Sequence, residues 1–151
     1  QQTVRLSGAD LRRGVESAYA LFVNDYEFCL IEKHAEFTLD EVKDLVEILV
    51  ITKGDQGSLV ISKDQEYLIP VVPPEKIIDP TGVGDAFRGG FLTGFHYGFD
   101  LKLCGEMGSL AAAYCLETDS PQSHSYTPEE YIQRFRDYFD DKGKLDILMK
   151  K

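Results

Sequence analysis

The sequence is short of positive charge. Lysine and arginine number 16 against 26 aspartate and glutamate, a formal charge of −10. A nucleic acid or an anionic membrane surface rewards a basic face, so neither is expected as the main partner. A small phosphate ligand stays open, because it needs only a local site. Cysteine is scarce too. Cys29, Cys104 and Cys115 are odd in number and fit no C-x-x-C spacing, which argues for buried thiols in a reducing compartment and against a zinc site. No apolar run approaches the roughly 20 residues that span a bilayer. No signal peptide is recognisable, and the expected location is cytoplasmic. Internal repeats, low-complexity tracts and linkers are also missing. At 151 residues this leaves one expected domain, 1–151, large enough for a core without disulfides or metals.

What is present reads as a globular α/β chain, 43% apolar and 28% charged. The apolar run from Ala18 to Val23 suits a strand buried on both faces and ends at polar Asn24-Asp25. Tyr26 to His34 read as helical, and Thr38-Leu-Asp-Glu41 is a capping box that opens a short helix. Val46 to Thr52, VEILVIT, is a second strand rich in β-branched residues. Residues 57–62 and 66–72 read as a hairpin turning near Lys63-Asp64. Val83, Phe87, Phe91 and Phe95 recur every four residues, so one helix face with its phenylalanines in the core is expected. Gly89, Gly90 and Gly94 weaken such a helix by roughly 1 kcal/mol each, and close packing is the expected reason. Further helices are expected over 101–117 and from the Thr127-Pro128-Glu-Glu130 cap. The first strand starts only near position 18, and strands this apolar need neighbours on both sides. The chain therefore reads as the second half of a larger α/β protein.

Three stretches carry chemistry. In DPTGVGDAF, Asp79 to Phe87, two glycines at a helix start aim backbone N–H groups outward, an anion hole favoured by the helix dipole. Asp85 in that first turn repels an anion unless its carboxylate has work, such as deprotonating a hydroxyl that attacks a phosphoryl group. The plainer reading is a capping aspartate in a Gly-rich turn. Asn24 and Glu27, three apart after the first strand, can hold a hydrated Mg²⁺ through oxygen or simply cap a helix. Residues 51–58, ITKGDQGS, follow a strand's carboxyl end, where α/β folds place ligands. Thr52 and Gly54 can line a triphosphate there, or form an ordinary turn into the hairpin.

In this order the stretches resemble the ribokinase-like (PfkB) family of carbohydrate and nucleoside kinases. The resemblance rests on N-x-x-E at Asn24 and Glu27, T-K-G-x-x-G-S at Thr52 to Ser58, D-P-T-G-x-G-D-A-F at Asp79 to Phe87, and the following Gly89-Gly90 pair. It covers almost the whole chain but only the C-terminal half of a family member. It implies a three-layer αβα, Rossmann-like sandwich, of which this chain is the C-terminal nucleotide-binding half. By the same resemblance Asp85 matches the catalytic base, and Gly82, Val83 and Gly84 match the anion hole. Asn24 and Glu27 match the positions that place Mg²⁺ through water, Thr52 and Gly54 the nucleotide-contacting loop, and Asp79 and Thr81 a monovalent-cation site such as one for K⁺. Ser109, Ala112 and Ala113 fall where the family covers the adenine. The adenosine-kinase-like branch is closest in look, with Ser120 standing where relatives usually have glycine and His124 near the same pocket.

The implied activity is transfer of the γ-phosphoryl of ATP, with Mg²⁺, to a hydroxymethyl group of a sugar or nucleoside. A half-fold leaves apolar surface uncovered, so a homodimer or pairing with the absent N-terminal half is expected. Two other classes stay in view. One is a non-catalytic nucleotide-binding or interaction module derived from such a kinase. The other is a methyltransferase or dehydrogenase domain, which needs a Gly-rich loop where this chain has Asn-Asp-Tyr-Glu.

Overall fold

The structure, a computed structural model, describes residues 6–119 and 125–150; Ser120 and His124 lie outside them. The single expected domain divides into two compact units, Gln1–Ile69 and Pro70–Lys151. The division follows from local chemistry. Pro70, Pro73, Pro74 and Pro80 lack the N–H a strand or helix needs, and residues 70–82 form neither.

The first unit opens with helix α1, Gly8–Ser17, in a stretch where the sequence reading placed no element. Ser7 and Asp10 form its capping box, and Leu11 and Val15, four apart, bury its inner face. Strand β1, Ala20–Asn24, pairs in parallel with β2, Ile48–Thr52. Between them run α2, Asp25–Ala35, and α3, Leu39–Leu45, the latter capped by Thr38 and Glu41 as expected. Strands β3, Ser58–Ile61, and β4, Glu66–Ile69, continue the sheet antiparallel in the order β1-β2-β3-β4. Strand β2 is buried on both faces apart from Thr52, whereas in β1 only Val23 is fully buried. That corrects the expectation for β1, which lies at one end of the strand order. Leu11, Val15, Phe28, Ile31 and Val42 pack with Val23, Leu49, Ile51, Leu59 and Ile61 as one core. Each such side chain contributes roughly 1.5–3 kcal/mol.

The second unit holds α4, Val83–His96, α5, Leu101–Leu116, and α6, Pro128–Arg136, followed by a 3₁₀ turn at Lys144–Met149. Helices α4 and α5 meet backbone to backbone. A Cβ added at Gly90 would stand 2.6 Å from the Met107 carbonyl oxygen, and one at Gly108 would stand 2.8 Å from that of Phe87. Gly94 is similarly crowded by Cys104, but Gly89 has nothing within 4 Å, so close packing does not explain it within this chain. Phe87 and Phe91 are buried, while Phe95 is 40% exposed, correcting the expected all-core stripe. A four-residue spacing drifts about 40° per step around a 3.6-residue helix, and two steps carry Phe95 off the inner face. Leu103, Met107, Leu110, Ala113, Tyr131, Ile132, Phe135 and Leu145 form this unit's core.

Cys104 and Cys115 are buried, Cys29 is only partly so, and all three are free thiols. Burial pushes the Cys104 thiol up to about 12, which keeps it protonated and inert. Among the described residues no helix is long and apolar enough to cross a membrane.

Candidate active site

The turn before α4 is built by backbone torsions. Gly82 takes the left-handed conformation, φ 80°, and stands at the N-cap with no side chain to offer. The Val83 N–H reaches the Pro80 carbonyl at 3.4 Å, and the Ala86 N–H makes the first helical bond to Gly82 at 2.9 Å. The N–H groups of Gly84 and Asp85 are left without a hydrogen-bond acceptor among the described residues. Two unsatisfied donors at the positive end of a 14-residue helix make an anion site. Space is available in front of them, since a Cβ at Gly84 would meet nothing within 4 Å.

The approach to this turn is tied down. The Asp79 carboxylate accepts the Thr81 N–H at 2.8 Å, and hydrogen bonding from the Thr81 side chain first, and from its N–H second, holds the carboxyl below its ordinary pKa. The Cys115 thiol donates to the Thr81 carbonyl at 3.5 Å, and the Ile78 N–H donates to the Leu116 carbonyl at 2.8 Å. These bonds fasten residues 78–81 to the end of α5. The Asp85 side chain is 77% exposed and lies 3.2 Å from the Arg88 guanidinium. Arg88 was missed in the sequence, although its i,i+3 spacing from an aspartate at a helix start was a legible signal.

In the first unit, Asn24 and Glu27 form a reciprocal capping box. The Asn24 side chain accepts the Glu27 N–H at 2.7 Å, and the Glu27 carboxylate accepts the Asn24 N–H at 3.1 Å. The plainer of the two sequence readings is thus realised in the geometry. Asn24 and Thr52 are register partners at the carboxyl ends of β1 and β2. Gly54, φ 57°, then turns the chain through a 3₁₀ turn, Gly54–Gln56, into β3. Next to Thr52 across β2 and β3 lies Ser58, whose buried hydroxyl has no hydrogen-bond partner, at a cost of roughly 1–3 kcal/mol.

Within the second unit the structure brings together Asp79, Thr81, Gly82, Val83, Gly84 and Asp85, and within the first it brings together Asn24, Glu27 and Thr52. Two of the adenine candidates are engaged within the second unit. The Ser109 hydroxyl is buried, accepts the Val72 N–H at 2.9 Å and donates to the Pro70 carbonyl at 2.8 Å. Ala113 is packed inside the second core. Both face inward because α5 is buried along most of its length, whereas Ala112 is partly buried. No group of three or more His, Cys, Asp or Glu among the described residues can hold a metal by itself. Mg²⁺ carried on phosphate oxygens and water needs only one or two carboxylates. The open N–H pair of Gly84 and Asp85 fits a phosphate oxygen.

Residues 5–128 match the family model described as pfkB family carbohydrate kinase. The chain belongs to that family. The pfkB relatives include the nucleoside kinase of Methanocaldococcus jannaschii, 35% identical over 120 residues, covering 80% of this chain and 40% of that protein. Its solved structure, described as an archaeal member of the ribokinase family, superposes with a TM-score of 0.87 at 33% identity, over 91% of this chain and 46% of that one. The Burkholderia thailandensis nucleoside kinase in complex with inosine superposes with a TM-score of 0.89 at 40% identity, over 92% of this chain and 47% of that one. The fold is therefore the ribokinase-like α/β fold. The chain spans under half the length of these pfkB relatives.

Proposed function

We propose that the chain is the catalytic, nucleotide-binding half of an ATP-dependent pfkB kinase that phosphorylates a hydroxymethyl group. A nucleoside is favoured over a free sugar as acceptor, because the two relatives compared above are both named nucleoside kinases and one is described with inosine. The observation that carries the reading is the pair of unpartnered N–H groups at Gly84 and Asp85, with the Asp85 carboxylate in the same helical turn. ATP with Mg²⁺ supplies the phosphoryl group and offsets its charge. Asp85 takes the proton of the attacking hydroxyl, and the open N–H groups of Gly84 and Asp85 hold the phosphoryl oxygens as negative charge builds on them. Thr52 and Gly54 contact the nucleotide, Asn24 and Glu27 order the water shell of Mg²⁺, and Ala112 borders the adenine. Asp79, kept ionised by its bond to Thr81, serves a monovalent cation such as K⁺. The protein acts in the cytoplasm and joined to the other half of the kinase fold. Leu92 and Phe95, exposed on α4, are apolar surface for that pairing.

Calorimetric titration with Mg·ATP tests the reading, with circular dichroism as the check on folding. Saturable binding supports it, and a folded protein that ignores Mg·ATP overturns it. Asp85→Asn in the full kinase is expected to lower kcat by about 10²–10⁴ with Mg·ATP affinity kept within about twofold, because the N–H pair is backbone. Equal loss of binding and turnover would make Asp85 a structural cap, and binding without any turnover in the parent would point to a non-catalytic nucleotide module.

A further inference from the structure

Ser58 is the single residue among those described with a buried side-chain oxygen or nitrogen lacking a hydrogen-bond partner, and it is only 3% exposed. Native structures pair such groups almost always, so an orphan needs a reason. Strand propensity supplies none: its neighbours in β3 are Leu59, Val60 and Ile61, and valine would suit the position better.

The register says what the hydroxyl faces. Ser58 pairs with Thr52 across β2 and β3, and Thr52 pairs with Asn24 across β1 and β2. Cross-strand partners share a face of the sheet, so the three side chains form one polar row at the carboxyl ends of the parallel strands. The Lys53 N–H bonds the Gly57 carbonyl at 2.8 Å, which makes Thr52 and Ser58 the adjoining non-hydrogen-bonded pair, where side chains approach most closely. Exposure falls along the row, from exposed Asn24 through partly buried Thr52 to buried Ser58. A ligand at the strand ends can touch Thr52 but not Ser58.

We propose that Ser58 is a positioning residue for Thr52 in nucleotide binding. Resting on the kinase reading above, the Ser58 O–H donates to the Thr52 hydroxyl oxygen when nucleotide is bound, and the Thr52 proton then turns outward to a phosphate oxygen. A lone threonine hydroxyl on a strand rotates among several acceptors. One that already accepts from a buried neighbour is held as a donor, and each bond in such a chain polarises the next. The unpaired hydroxyl of the free protein is satisfied only when Thr52 is turned to its ligand, so binding gains what the free state leaves unmade.

The test is a double-mutant cycle in the full chain, Ser58→Ala, Thr52→Val and both, read by Mg·ATP calorimetry and by thermal unfolding without ligand. Ser58→Ala is expected to weaken Mg·ATP binding by about five- to tenfold, the worth of one hydrogen bond, with the unliganded Tm unchanged or raised. Thr52→Val weakens binding at least as much, and Ser58→Ala then adds nothing further. Unchanged affinity in Ser58→Ala overturns the proposal, as does a penalty that multiplies fully with that of Thr52→Val. A parent chain that folds but does not bind Mg·ATP fails at the kinase reading itself and takes the Ser58 role with it.

Discussion

Asp85 in the first turn of α4 and Arg88 one turn on lie 3.2 Å apart, yet both are so exposed that the pair adds little to stability. The stabilising carboxylate of the second unit is Asp141, buried and held by two Arg136 nitrogens at 2.9 and 3.0 Å and by the Leu145 N–H at 2.9 Å. The Arg136 bonds pull its carboxyl from 3.8 to about 2. A depressed carboxyl contributes stability that is complete above its unfolded pKa and is lost as pH falls through the folded one. The Tm should therefore drop as pH falls from about 4 to about 2, and Asp141→Asn should remove that portion of the drop while lowering Tm at neutral pH. Differential scanning fluorimetry across this range checks it. Glu106 works in the opposite sense. Burial raises its carboxyl, with Lys102 at 3.6 Å offsetting part of the effect, so its contribution is present in acid and lost as pH rises. Glu106→Gln is accordingly expected to raise Tm more at pH 7 than at pH 4.

At the scale of elements, two adjacent glycines in α4 make opposite forecasts. Gly90→Ala sets a Cβ 2.6 Å from a backbone oxygen of α5, so the helices must separate, at a cost of about 1–3 kcal/mol. Gly89→Ala meets open space and gains about 0.5–1 kcal/mol from helix propensity. Chemical denaturation of the two variants decides between these signs and a shared packing role. The sequence showed two glycines in a helix and nothing to tell them apart, because which one faces α5 depends on how α5 crosses. The N-x-x-E stretch had a related ambiguity: an amide and a carboxylate three apart suit a capping box and an oxygen site equally, and the distances show the box. Helix α1 escaped the sequence reading although Ser7-x-x-Asp10 followed by Leu11 and Val15 is a capped, one-faced pattern. Its signal is short, with only Leu11 and Val15 buried, beside the longer apolar run of Ala18 to Val23.

At the scale of the molecule, the charge of −10 sets the sign of long-range steering. Mg·ATP carries net negative charge, so the chain's field opposes its approach, and salt screens that field over about 10 Å at 0.1 M. The association rate for Mg·ATP should rise modestly, or stay level, between low and physiological ionic strength. Stopped-flow traces at two salt concentrations test this. A steep fall would mean that a local basic field outweighs the net charge. The division into Gln1–Ile69 and Pro70–Lys151 belongs to this scale as well. The prolines were visible in the sequence, but a proline-rich stretch becomes a boundary only when each side has its own core, and these cores assemble from residues far apart in the chain.

The sequence by itself determined the Gly-rich start of α4, the caps at Thr38–Glu41 and Thr127–Glu130 and the order of the three family motifs, because torsional freedom and capping bonds act over three or four residues. Tertiary structure alone decided that Ser109 and Ala113 turn inward, that Phe95 leaves the core, that Gly90 is crowded while Gly89 is open, and that the Ser58 hydroxyl is buried unpaired. Each of those is a question of which distant atoms arrive beside a residue, and burial is set by packing between elements rather than by the residue's own neighbours.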